Sequence, residues 1–548
     1  MNPLKNHSNN DVPLLPAPGQ PALEEAPTSV SAGREVTVYE KCECSFSNLP
    51  YVAQSLIIRY LGFREITRLK RVCKYFCNLV ENDKTLERAW IRKFTSPYHY
   101  QPKTIVRTKD KQQLRHWLGA FTDMDTIRSL MEHQKHLYFP AQLLFINSKL
   151  MSQCKKFKLV EKIEITHCNE VNMVNLSPDD RYLVSASKDK TVKICSQKTD
   201  GSWEPTAAIS NKKEVVTAKF SPCGRHLMTA TEFAAKIYAQ DDDGSWKEKI
   251  TISNRSGWPN STNFSPDGQY LATAADDNTV KIFGLDEEGQ WGVKNTIPHK
   301  GTTLSVTFSA DGCNLVIFGN DVKICSRVDD GSWIVEGTVH ESLSISAKLS
   351  CNRRHLVISS LFAAHIYGQG DGSWVKKATV QHKDVISTCR FSADSCHLVT
   401  ASTDSTAKIC NLQDDGSWQE ITTIAHDHWV IAADFSANCH HLVTASKDNT
   451  AKIYTRKAAG KWEQQACITH TGVVNSAKFS ADCFHVVTAS DDNTVKISGL
   501  QLDGSWLEKA TIQHNSKVTS AHFSTDSRHV VTVTIDNKVR ITELQKDV

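Results

Sequence analysis

Five sets of His, Ser or Thr, and Asp recur along this chain at fixed offsets: His167/Ser187/Asp189, His382/Ser402/Asp404, His426/Ser446/Asp448, His470/Ser490/Asp492 and His514/Thr534/Asp536. Brought together, these residue types can activate a hydroxyl: the carboxylate holds the imidazole, and the imidazole takes the hydroxyl proton. Repetition argues against that use. A hydrolase needs one such centre, whereas a unit repeated five times is supplying hydrogen-bond partners to its own buried polar groups. No catalytic residue is expected from these sets. Metal chemistry is not expected either, because Cys42-x-Cys44 has no second pair at zinc spacing. No nucleotide-binding loop is recognisable, so no cofactor is expected. The 17 Cys form an odd number. Cys396, Cys439 and Cys483 read as equivalent positions one repeat apart, which fits small buried thiols in a reducing cytosol better than disulfides.

The elements that position these sets form a repeat. Asp-Gly-Ser-Trp ends at Trp203, Trp246, Trp333, Trp374, Trp418 and Trp506, with weaker copies at Trp291 and Trp462. Successive Trp lie 43, 45, 42, 41, 44, 44 and 44 residues apart. A period of ~40–45 residues is that of a four-stranded propeller blade. Within a unit, short runs rich in β-branched residues alternate with Ser, Asp, Asn or Gly, the pattern of strands and tight turns. Each Trp opens an outermost strand, where its ring can cover a seam between blades. Nine units are anchored by Phe220, Phe264, Phe308, Phe391, Phe435, Phe479 and Phe523, with Leu176 and Leu349 in the same slot. Unit four shortens one turn to Gly319-Asn320-Asp321, and unit five replaces it with Ser360-Leu361-Phe362-Ala363.

Residues 157–545 thus resemble the WD-repeat family. The resemblance implies a mainly β fold: one closed propeller of nine repeat units, folded as eight or nine blades, over residues 156–548. Where that family often has Trp-Asp, this chain has Cys195, Tyr238, Phe283, Cys410 and Tyr454, and the aromatic anchor has moved to Gly-Ser-Trp. No outer strand follows the last unit, so Phe157–Ile165 is expected to close the ring beside Val539–Thr542. Closure removes the free sheet edges that otherwise invite aggregation.

Residues 1–44 read as a disordered tail, rich in Pro, Asn, Ser and Ala. From Leu49 apolar residues fall at helical spacings. Leu49-Pro50, then Ile57-Ile58 and Leu61, then Ile66, Leu69, Val72 and Phe76 resemble an F-box, which places a small helical domain at 45–95. Val52 stands where the family often has an acidic residue, and Leu86 and Trp90 are four apart rather than adjacent. A helical linker is expected at 96–155. Residues 41–155 carry 20 Lys and Arg against 9 Asp and Glu, suited to an acidic protein surface or simply to solvated helix faces. The whole-chain balance of +4 gives no argument for nucleic acid. No apolar run is long enough to span a membrane.

The F-box resemblance implies docking to a Skp-family adaptor and, through it, to a cullin-based ubiquitin ligase. The nine apolar residues from Leu49 to Phe76 named above would make that contact. The propeller would then hold a substrate protein on the loops before each first strand and between second and third strands. Lys212, Lys213, Arg255, Trp258, Lys300, Lys383, His428 and Trp429 are the candidates there. The chain itself is expected to be non-catalytic and cytoplasmic or nuclear. The alternative is a scaffold or inhibitor without ubiquitin chemistry, including a microbial effector acting in a host cell's cytosol.

Overall fold

The computed structural model describes residues 151 and 154–546, apart from loop residues 242–243, 254–258, 276, 300, 302, 329–330, 342–343, 371–372, 458–459 and 502. The chain divides into two compact units, Met1–Gln54 and Ser55–Val548, and every described residue lies in the second. The tail, the F-box-like segment and nearly all of the helical linker lie outside the described residues.

Nine four-stranded antiparallel sheets follow one another along the chain. Eight take four consecutive strands each, written a to d from the channel outward, as in blade 7: Val430–Phe435, His441–Ser446, Thr450–Arg456 and Trp462–Thr469. The ninth joins Val518–Phe523, His529–Thr534 and Lys538–Lys546 to the opening strand Phe157–Thr166. That opening strand pairs with the closing one, Ile165 opposite Val539 and Phe157 opposite Lys546, as the sequence predicts. All nine repeat units are therefore blades, and the eight-bladed alternative falls away.

The core lies in the seams. Strand b of blade 7, His-Leu-Val-Thr-Ala-Ser, is buried at every residue because a neighbouring blade covers each of its faces. Val443, Ala445, Ala451 and Ile453 of blade 7 form one cluster with Val474, Ala477, Val486 and Trp506 of blade 8. The closing seam is built likewise: Val531, Val533, Val539 and Ile541 of blade 9 pack on Leu183, Cys195 and Trp203 of blade 1. Each repeat Trp sits at the seam with the blade before it. Trp418, Trp462 and Trp506 meet His355, His397 and His441 edge-on, with ring centroids 5.2, 5.8 and 5.5 Å apart. In the ninth blade Phe157 takes this place, 5.4 Å from His485. Such edge contacts add about 0.5–1.5 kcal/mol to the area each ring buries.

The 13 cysteines among the described residues are all free. Cys439 and Cys483 are buried, and burial pushes both thiols up to about 12. Cys396 departs from the expectation. The residue equivalent to Cys439 in blade 6 is Ser395, as the shared positive φ shows, and Cys396 is one position further on and exposed.

The turns between strands b and c place a residue in the left-handed region: Asn449 and Asn493 at φ 68°, and Ser405 also at φ 68°. Asn tolerates this conformation and Ser does so less readily. Ser405→Gly should therefore stabilise the ring by about 0.5–1 kcal/mol, the relief of about 1–2 kcal/mol of strain outweighing glycine's greater chain entropy. A lower urea midpoint than wild type would show the opposite.

Candidate functional site

The recurrent His and Asp meet on one end of the ring, where the d-to-a connections run beside the b-to-c turns. In blade 7 His426 Nδ1 lies 2.7 Å from Asp448 Oδ2, and Nε2 lies 2.8 Å from Thr444 Oγ1. The carboxylate also accepts hydrogen bonds from Thr450 Oγ1 at 2.6 Å, Thr450 N at 2.9 Å and Asp427 N at 3.1 Å. A carboxylate can only accept, so Nδ1 carries the proton and Nε2 accepts from the threonine hydroxyl. The His426 backbone N–H donates to Ser405 O of blade 6. One residue thus ties two blades together. The same set forms on His167, His382 and His470.

Two sequence expectations are corrected here. The hydroxyl on the imidazole belongs to Ser185, Thr400, Thr444 or Thr488. It does not belong to Ser187, Ser402, Ser446 or Ser490, two residues later on the same strand face. Those serines accept from the aspartate N–H and donate to a loop carbonyl, as Ser446 does to His428 O at 3.0 Å. The fifth set is not assembled: Thr534 bonds Asp536, while the buried His514 Nε2 has no partner.

The connectivity is that of a hydrolytic triad, but Ser185, Thr400, Thr444 and Thr488 are completely buried and meet no substrate. Electrostatics agree with a structural role. Burial lowers the four imidazoles and the aspartates restore only part, so they stay neutral and each His–Asp contact is a hydrogen bond rather than an ion pair. Burial alone would raise Asp404 and Asp448; the hydrogen bonds they accept outweigh it and hold both at about 2. No group of residues suited to a metal occurs among the described residues.

The same end of the ring carries the expected contact residues. Lys212, Lys213, Lys383, His428 and Trp429 are all exposed. Lys447 Nζ sits 4.0 Å from the Trp429 ring centroid, and His428 meets that ring edge-on at 5.5 Å. Lys213 Nζ lies 5.1 Å over the Phe233 ring. Arg255, Trp258 and Lys300 lie outside the described residues, as do the nine F-box positions.

Sequence reading missed the apolar part of this face. Phe233 is 46% exposed, Leu361 37% and Phe362 45%, at b-to-c turns where intact blades carry the bonded aspartate. Val216, Leu304 and Ile345, second residues of strands a in blades 2, 4 and 5, are exposed as well. The degraded turn 360–363 was the available signal. Large apolar side chains left on a surface mark contact sites.

The F-box domain model matches residues 46–88. The WD domain, G-beta repeat, matches 158–196, 246–284, 374–411, 418–455, 462–497 and 507–542. The unmatched stretches 197–245 and 285–373 hold these apolar turns and strands, Val216 and Phe233 in the first and Leu304, Ile345, Leu361 and Phe362 in the second. A search of curated proteins found no match. An F-box joined to a propeller of WD repeats is the general architecture of substrate-receptor adaptors in cullin-based ubiquitin ligases, and this chain is an F-box/WD-repeat protein.

Proposed function

We propose that this protein is the substrate-recognition subunit of an SCF-type ubiquitin ligase in the cytosol or nucleus. Leu49, Pro50, Ile57, Ile58, Leu61, Ile66, Leu69, Val72 and Phe76 dock a Skp-family adaptor and thereby the cullin. A substrate protein binds the loop face, with Phe233, Leu361, Phe362 and Trp429 as anchors and Lys212, Lys213 and Lys383 at the rim. The carrying observation is the F-box match on a chain whose propeller leaves aromatic rings exposed at one end. Aromatic anchors supply most of the binding energy in such contacts, and rim charges mainly steer association. Tethering raises the effective concentration of substrate near the charged ubiquitin carrier.

Affinity purification of three full-length proteins tests this. Wild type should retain adaptor, cullin and substrate. Leu49→Ala/Pro50→Ala should lose adaptor and cullin together and keep the substrate. Phe233→Ala/Phe362→Ala should keep the adaptor and lose the substrate at least tenfold. Adaptor absent from all three samples would leave a scaffold or inhibitor instead.

A further inference from the structure

The fifth residues of the strands a form one tier around the ring, at the end opposite the His and Asp turns. Around nine blades these positions hold Lys219, Lys348, Arg390, Asp434, Lys478 and His522, plus two asparagines and a threonine. Charge is concentrated on consecutive blades 5 to 9. Arg390, Asp434, Lys478 and His522 line one cavity of about 300 Å³, floored by Ser524 and Thr525 of an a-to-b loop. Lys348 on blade 5 lies close enough to feel both Arg390 and Asp434.

The cluster is not balanced. Three cations, Lys348, Arg390 and Lys478, face one carboxylate. Arg390 approaches Asp434 only to 3.5 Å. Lys348 Nζ donates to Cys389 O at 3.0 Å. Lys478 and His522 have no hydrogen-bond or ion-pair partner among the described residues. Protein atoms crowd these side chains around the channel wall, which lowers Lys348 and Lys478 and raises Asp434, yet the charged ends remain reachable from the channel. Like charges held together without counter-charge oppose folding unless something neutralises them.

We propose that this cavity binds a small phosphate-class dianion, free phosphate or a small phosphate ester, held by Arg390 and Lys478. Three cations against one anion leave two positive charges, which a dianion neutralises and a monocarboxylate does not. Donors on blades 6, 8 and 9 converge from different directions, which suits a tetrahedral oxyanion, and the planar guanidinium of Arg390 can grip two of its oxygens. A cavity of this size is at the lower end of small-ligand sites. Lys478 and His522 also line a second cavity that reaches Asn169, Glu170 and Ile535 on the loop side; anion binding at Arg390 and Lys478 does not depend on the substrate reading.

Titration calorimetry and thermal unfolding of the full chain at constant ionic strength test it, with inorganic phosphate, sulfate and acetate as probes. One-site, saturable phosphate binding that raises the melting temperature is expected. Sulfate should compete and acetate should not. Arg390→Ala/Lys478→Ala should weaken phosphate binding at least tenfold while its unliganded melting temperature stays at or above that of wild type. Asp434→Asn should tighten binding, and Lys212→Ala/Lys213→Ala on the other face should leave it unchanged. Absence of saturable binding, an equal effect of acetate, or wild-type affinity in the Arg390/Lys478 variant overturns the proposal. So does tighter binding of a phosphoserine peptide, which would make the ligand a protein segment.

Discussion

Between pH 7.5 and pH 5 the propeller should lose roughly 4 kcal/mol of stability from two histidines alone. His441 and His514 are buried, and burial holds each at about 4. In the unfolded chain a histidine titrates near 6.5. Between these values the unfolded state binds the more protons, so protonation favours unfolding. Stability is present above about pH 6.5 and is lost as pH falls, at up to about 1.4 kcal/mol per pH unit for each histidine. The four network histidines are lowered by burial too and act in the same direction. Asp404 and Asp448 extend the loss below about pH 4, since their folded value of about 2 lies under the ordinary aspartate value. Urea midpoints measured at pH 7.5, 6 and 5 should fall steadily. A midpoint independent of pH would mean that these imidazoles are hydrated in the folded ring.

Asp448→Ala should cost about 4 kcal/mol. The substitution leaves His426 Nδ1–H, Thr450 N–H, Thr450 Oγ1–H and Asp427 N–H without their acceptor. Each stranded buried donor costs about 1–3 kcal/mol, and partial access to water at the exposed Asp427 backbone reduces the sum. Asp536→Ala provides the internal control. In blade 9 no hydrogen bond joins His514 to Asp536, so that change should cost about 1 kcal/mol, the loss of the turn contact with Thr534. The His426→Ala/Asp448→Ala double variant should be less destabilised than the two single costs added, because both remove one shared network. Equal costs for Asp448→Ala and Asp536→Ala would refute the view that the histidine link ties the blades.

The two effects overlap only in part. His441 packs on Trp506 at a seam and His514 lacks the carboxylate link, so acid reaches the aspartate-tied turns of the loop face through the four network imidazoles alone. Blades 2 and 5 have done without the aspartate. Phe233 and Leu361-Phe362 stand at those turns, giving up a network and presenting apolar surface instead. That exchange is why the proposed substrate face and the weakest repeat similarity coincide.

Several features were local enough to be read from residues alone. The Trp spacing reports strand and turn lengths, which depend on near neighbours, so nine units, their strands and the closing segment Phe157–Ile165 were legible. The seam role of the Trp followed from its size and place at the head of an outer strand. The face carrying Lys212, Lys383 and Trp429 followed from topology. The tertiary structure decided what local pattern leaves degenerate. Residues two apart on a strand share a face, so only packing tells Thr444 from Ser446 as the partner of His426. A blade count is a property of the closed ring, fixed when the ninth sheet takes its outer strand from residues 157–166. The channel cluster joins Lys348, Arg390, Asp434, Lys478 and His522, each about forty residues from the next. No sequence window contains them together, and only the packing of successive blades sets Arg390, Asp434, Lys478 and His522 around one cavity with Lys348 beside it.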